Sequence, residues 1–167
     1  MHAHTMSLSY SLFNNFTEKE LEKFIKKIHN KNYGTNQIII KENDIGDSIM
    51  LLLNGTIIIS KALTIKVNKI EEREKEFIEL SSNQNPFFGE ISIFSNNKRT
   101  ATIKAKTDCE LGILYNKDLI KICKEDHEIG YKIMTNISKK LIEDLLVTNQ
   151  QVLKLTTAFS LILDKKY

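Results

Sequence analysis

The chain has 167 residues, 41% of them hydrophobic and 27% charged, with a net charge of +3. That is room for one domain with a real core and an ordinary soluble composition. The charge is too small to argue for a nucleic acid or a membrane surface as partner, and the run Ile49 to Leu53, cut off by Asn54-Gly55, is far short of a membrane span.

Residues 1–11 read as a tag or disordered tail, without the basic region and apolar core of a signal peptide. Thr17 with Glu20 three residues on is a capping-box signature. It predicts a helix from Glu18 to about His29, with Leu21, Phe24, Ile25 and Ile28 on one face. Ile38-Ile39-Ile40 is a short β-branched strand, and Asn43 to Asp47 turns the chain. Asn54-Gly55 between Ile49–Leu53 and Thr56–Ser60 is the strongest hairpin signal in the chain. The second strand is expected to continue over 62–67, and Glu71 to Glu76 to form a charged, solvated hairpin end. Phe77, Ile78 and Leu80 make another strand.

Ala101, Ile103 and Ala105 alternate with Thr102, Lys104 and Lys106, a period of two, and Leu111 to Tyr115 is the last strand. Many short strands with regular turn signals argue a sandwich or barrel. From Asn116 the period changes: a short helix over Lys117 to Cys123, then a long one from about His127 to Leu163, uninterrupted because the only proline is Pro86. Met134, Ser138, Leu141, Leu145, Thr148, Val152, Leu155, Phe159 and Ile162 follow alternating steps of four and three, a heptad seam with two polar interruptions. Two readings stay open, a helix packed on its own barrel and a homodimer helix. The apolar tail Ala158 to Leu163, hard to cover in a lone monomer, favours the second.

The stretch around which the rest is organised is Phe87 to Thr102. Gly89 allows close backbone approach or a positive φ. A helical turn over Glu90 to Phe94 would present N–H groups without intrahelical partners, which favour an anion. Arg99, one of only two arginines (the other is Arg73), supplies a planar fork suited to phosphate. Glu90 repels a phosphate but can accept from a sugar hydroxyl.

Phe88-Gly89-Glu90-Ile91-Ser92-Ile93, with Arg99-Thr100-Ala101-Thr102 beginning six residues on, resembles the phosphate-binding cassette of the cyclic nucleotide-binding domain family. The resemblance covers roughly residues 12–141 and implies an α+β fold, a jelly-roll β-barrel with an N-terminal helix and C-terminal helices. Residues 142–167 then extend the long helix. It implies a sensor for cAMP or cGMP, with Arg99 on one phosphate oxygen, backbone N–H groups of Ile91, Ser92 and Ala101 nearby, and Glu90 on the ribose 2′-hydroxyl. Thr100 raises the prospect of a guanine contact. Ile59 is a candidate wall beneath the base, and Phe88 underlies the cassette. Ser92 and Lys98 depart from the family, whose members often carry Ala and Pro at these places.

Other classes are weighed against this. A metalloenzyme on a similar jelly roll needs clustered ligands, whereas His29 and His127 are isolated; neither catalysis nor a cofactor is expected. A DNA-binding regulator would need a helix-turn-helix after the long helix, and the chain ends at Tyr167, so no DNA partner is expected. The paired arginines of kinase inhibitor segments are missing, and the effector partner is unknown. A degenerate domain that dimerises without ligand is the alternative. Cys109 and Cys123, lacking Cys-x-x-Cys spacing, read as free thiols in a reducing, cytoplasmic setting.

Overall fold

In the computed structural model, which describes residues 9–62, 74–94 and 98–164, one α-helix precedes a run of eight strands and two α-helices follow it. The strands are β1 (Ile28–Tyr33), β2 (Ile38–Ile40), β3 (Ser48–Asn54), β4 (Thr56–Ala62), β5 (Glu74–Ser81), β6 (Phe87–Phe88), β7 (Thr102–Ala105) and β8 (Cys109–Tyr115). The helices are α1 (Glu18–Ile25), α2 (Asn116–Glu125) and α3 (His127–Asp164). Two antiparallel sheets stack face to face, in strand orders β1-β8-β3-β6 and β2-β7-β4-β5. This is the expected α+β jelly roll, built as two layers and not as a closed barrel.

Both faces of the first sheet are covered, which is why β3 reads as an unbroken apolar run. Ile49 and Leu51 join Phe87 and Leu114 on the outer face, under α1, α2 and the first half of α3. Met50 and Leu52 point inward with Phe88, Leu111 and Ile113, against Ile40, Ile57, Ile103 and Ala105. The N-terminal segment closes the outer layer. Tyr10, inside the stretch expected to be a tail, is buried, and its hydroxyl donates to Leu52 O at 2.9 Å. Asn136 of α3 donates to the carbonyls of Leu12 and Asn14 at 3.0 and 2.9 Å.

The capping box forms as expected, with Thr17 accepting from Glu20 N and Glu20 returning to the Thr17 N–H. The helix it opens ends at Ile25, short of His29. The residues from Ile28 instead pair with β8 as an edge strand, in which only Tyr33 is buried. The Asn54-Gly55 hairpin does not form either. A two-residue type I′ turn needs positive φ at both central residues, and only Gly55 has it, at 94°. The chain crosses there from one sheet to the other, and β4 finds its partners in β5 and β7. A Cβ on Gly55 would lie 2.4 Å from Asp108 O, so the crossing demands glycine. Residues 74–76, expected at a hairpin end, are strand paired to 60–62. The expectation for 63–73 lies outside the described residues.

Helix α3 changes character along its length. Ile129, Ile133 and Ile137 are buried, whereas every described side chain from Ile142 onward is exposed. No described helix is long and apolar enough to cross a membrane.

Candidate functional site

Gly89, at φ 86°, turns the chain out of β6 into a single 3-10 turn, Glu90–Ile93. Arg99 returns beside it from the start of the β7 segment. Two glycines make room for its side chain: a Cβ on Gly46 would lie 2.1 Å from Nε, and one on Gly89 2.4 Å from Nη1. Arg99 is 7% exposed. Its Nη1 donates to Ser48 O (3.0 Å), Gly89 O (3.1 Å) and Ser92 Oγ (3.2 Å), and its Nη2 to Ser48 Oγ (3.1 Å). Burial lowers its pKa, and the carboxylates of Asp47 and Glu90 oppose that shift. The group stays a cation.

Gly89, Ile91, Ser92, Arg99, Thr100 and Ala101 line one notch of about 40 Å³, so six of the nine residues singled out in the sequence converge. Three do not line it. Phe88 is 4% exposed and packs in the inner core. Ile59 packs against the same core from β4, opposite Ile78 and Ile103. Glu90 is 3% exposed and turned to α3, where Lys140 Nζ meets its Oε1 at 2.9 Å. Ser92 acts through its side chain: Oγ donates to Gly89 O at 2.8 Å and accepts from Arg99, while its N–H leans on Gly89 O at 3.4 Å.

Lys140 was not legible in the sequence. It is fifty residues from Glu90 and lies beside the Leu141 seam position, with nothing local to mark it. It also pairs with Asp144 at 2.6 Å, and Nζ sits 5.5 Å from the Phe87 ring centroid. Burial pushes its pKa down, but Glu90 and Asp144 outweigh this and hold it above the ordinary 10.5. Ser48 and Gly46 were missed as well, although Gly46-Asp47 marked the turn that carries them. Among the described residues, no group of three or more His, Cys, Asp and Glu side chains is arranged to hold a metal.

The fold and this cassette together define a class. The family model of the cyclic nucleotide-binding domain matches residues 30–126, more than half of the chain, and the chain belongs to that family. Among particular proteins, it is similar to the cAMP-activated global transcriptional regulator CRP of Salmonella typhimurium, 26% identical over 137 residues, 81% of this chain and 60% of that protein. The chain thus spans about three fifths of the curated relatives it matches. Among solved structures it is similar to a cyclic nucleotide-binding domain from Methylobacillus flagellatus, with a TM-score of 0.74 and 17% identity over 84% of this chain and 75% of that one. It is also similar to cAMP-bound PfPKA-R, with a TM-score of 0.58 and 29% identity over 69% and 38%.

Proposed function

We propose that this chain is a regulatory domain that binds a 3′,5′-cyclic nucleoside monophosphate, cAMP or cGMP, and passes binding on to its C-terminal helices. The observation that carries the reading is the pairing of a glycine-flanked, buried Arg99 with a buried Glu90 that α3 already holds through Lys140. Arg99 and the amides of Ile91, Ser92 and Ala101 take the phosphate, and Glu90 takes the ribose 2′-hydroxyl. Thr100 leaves cGMP open beside cAMP, which is the ligand named for the relatives.

Mechanism follows from competition for one carboxylate. Clefts for small ligands have volumes of roughly 300–1,000 Å³, so a notch of about 40 Å³ has to open. Opening draws the 3-10 turn outward and brings a sugar hydroxyl to Glu90. Lys140 then loses its grip, and α3 shifts. The ligand biases the two arrangements only by its differential affinity for them. Beyond Leu141 the exposed Leu145, Val152, Leu155, Phe159 and Ile162 continue the four-three spacing, and we assign them to a homodimer seam in the cytoplasm. No catalysis is involved.

A second reading, a domain that keeps the fold for dimerisation and holds no nucleotide, is favoured by one observation. Arg99 and Glu90 are already satisfied by protein partners. Hydrogen exchange along 117–163 with and without cAMP or cGMP separates the two. Slowed or accelerated exchange supports the sensor, and an unchanged profile supports the second reading. A 2′-deoxy cyclic nucleotide is expected to bind more weakly than its parent; equal binding removes Glu90 from the site.

A further inference from the structure

Arg99 and the first residue of α2 meet on one dipeptide, Asp47-Ser48. From one side Arg99 holds Ser48, with Nη1 on its carbonyl at 3.0 Å and Nη2 on its hydroxyl at 3.1 Å. From the other side the Asn116 N–H donates to Asp47 O at 2.7 Å. Ser48 pairs with Tyr115 at the end of the β3–β8 ladder, so this bond ties the start of α2 one step past the last paired residues. Ser48 is 3% exposed, and water does not compete for these bonds. Gly46 lies so close to Arg99 that the turn and the guanidinium have to move together. The path from guanidinium to α2 uses neither Glu90 nor Lys140.

The first turn of α2 sits at a cost. Its N-cap, Tyr115, supplies no side-chain bond. The Asn116 side chain is buried, and its Oδ1 is the one buried side-chain nitrogen or oxygen among the described residues that has no hydrogen-bond partner. A buried acceptor without a donor is costly, and native folds keep few of them. The present seat of α2 is therefore one that this side chain disfavours.

We propose that Ser48 and Asn116 are positioning residues of a second relay, which carries ligand binding from Arg99 to α2 as Glu90 and Lys140 carry it to α3. The proposal rests on the cyclic nucleotide reading above. A phosphate that takes the Arg99 Nη donors competes with Ser48 O and Oγ. The Asp47-Ser48 dipeptide loosens, and the first turn of α2 reseats with Asn116 Oδ1 on a donor. Because the orphaned oxygen already disfavours the present seat, the ligand has only the remaining difference between the two seats to supply.

The test has two arms, both on the whole chain. Without ligand, amide hydrogen exchange by NMR is compared in wild type and Ser48→Ala. Exchange at the Asn116 amide is expected to speed up about tenfold, the value of one charge-assisted bond, while Ile129 and Ile133 on α3 stay unchanged. Asn116→Leu is expected to raise the thermal midpoint of the ligand-free chain and to weaken cAMP or cGMP about fivefold. An asparagine with a merely structural role would lower the midpoint and leave affinity alone. With cAMP or cGMP, wild type is expected to change exchange both at 116–119 and around Lys140. Ser48→Ala is expected to lose the first change and keep the second, and Lys140→Met to do the reverse. The relay is overturned if Ser48→Ala leaves the Asn116 amide at its wild-type rate, if Asn116→Leu lowers the midpoint or leaves affinity unchanged, or if Lys140→Met abolishes both changes. A chain that binds neither nucleotide overturns the sensor reading, and the ligand-free arm still decides whether Arg99 and α2 are linked through Ser48.

Discussion

Lys140 of α3 donates to Glu90 of the cassette at 2.9 Å, and so ties the longest of the described helices to the most buried carboxylate among the described residues. The pair is partly shielded: the Glu90 side chain is 4% exposed and that of Lys140 24%. Lys140→Met is expected to lower unfolding free energy by about 2 kcal/mol, the size of a hydrogen bond between charged groups. A double-mutant cycle with Glu90→Gln by urea denaturation checks it. A coupling energy near zero would mean that α3 is held by its apolar face alone.

Gly46 and Gly89 are spacers for Arg99. Gly46→Ala drives a Cβ into Nε, Cζ and Cδ of a side chain that four hydrogen bonds hold in place. The expected loss is about 1–3 kcal/mol, the cost of overpacking, and cyclic nucleotide affinity should fall with it because the guanidinium is displaced. A Gly46→Ala variant with wild-type stability and affinity would show that Arg99 has other room.

Alkaline pH reports on Tyr10. Burial, with the nearby Glu110 charge, pushes its phenol up from 10.0 to about 12. A raised folded pKa means stability that is full below pH 10 and is lost as pH climbs from 10 toward 12. Lys140, also raised, adds to the same alkaline loss above its ordinary 10.5. At the acid end Glu20 is lowered, chiefly by its Lys132 hydrogen bond, and Asp126 chiefly by Lys23. Their contribution is present above the ordinary carboxylate range and is lost as pH falls through and below it. Tyr10→Phe is expected to cost about 1 kcal/mol at neutral pH and to flatten the slope between pH 10 and 12. An unchanged slope contradicts the assignment.

The exposed half of α3 makes a separate prediction. Leu155→Glu with Phe159→Glu is expected to convert a dimer to a monomer in sedimentation equilibrium while leaving the sandwich folded, since both side chains are more than 60% exposed. A wild-type chain that sediments as a monomer throughout the micromolar range would contradict the seam.

Legibility in the sequence follows the range of the forces involved. The cassette could be read because its chemistry is written in consecutive residues, from Gly89 to Ala101. The α1 start could be read because a capping box spans only Thr17 to Glu20. Strand β1 could not. Between Ile28 and Tyr33 the strand is polar and exposed on an edge, with no alternation to mark it, and its pairing with β8 defines it as a strand. The Asn54-Gly55 corner was misread because local turn propensity was outweighed by non-local pairing: β3 lies against β6 and β8, and β4 against β5 and β7. Lys140 needed the whole fold, because its register against Glu90 depends on how α3 packs over Leu12 and Phe87.

The most direct measurement is calorimetric titration of the chain with cAMP and with cGMP, beside Arg99→Ala. The account predicts saturable binding of at least one of them. It also predicts a loss of roughly a hundredfold, about 2.7 kcal/mol, in the variant at temperatures where its circular dichroism shows it folded. Absence of heat and of any thermal shift at millimolar ligand, or an affinity untouched by removing Arg99, would contradict it.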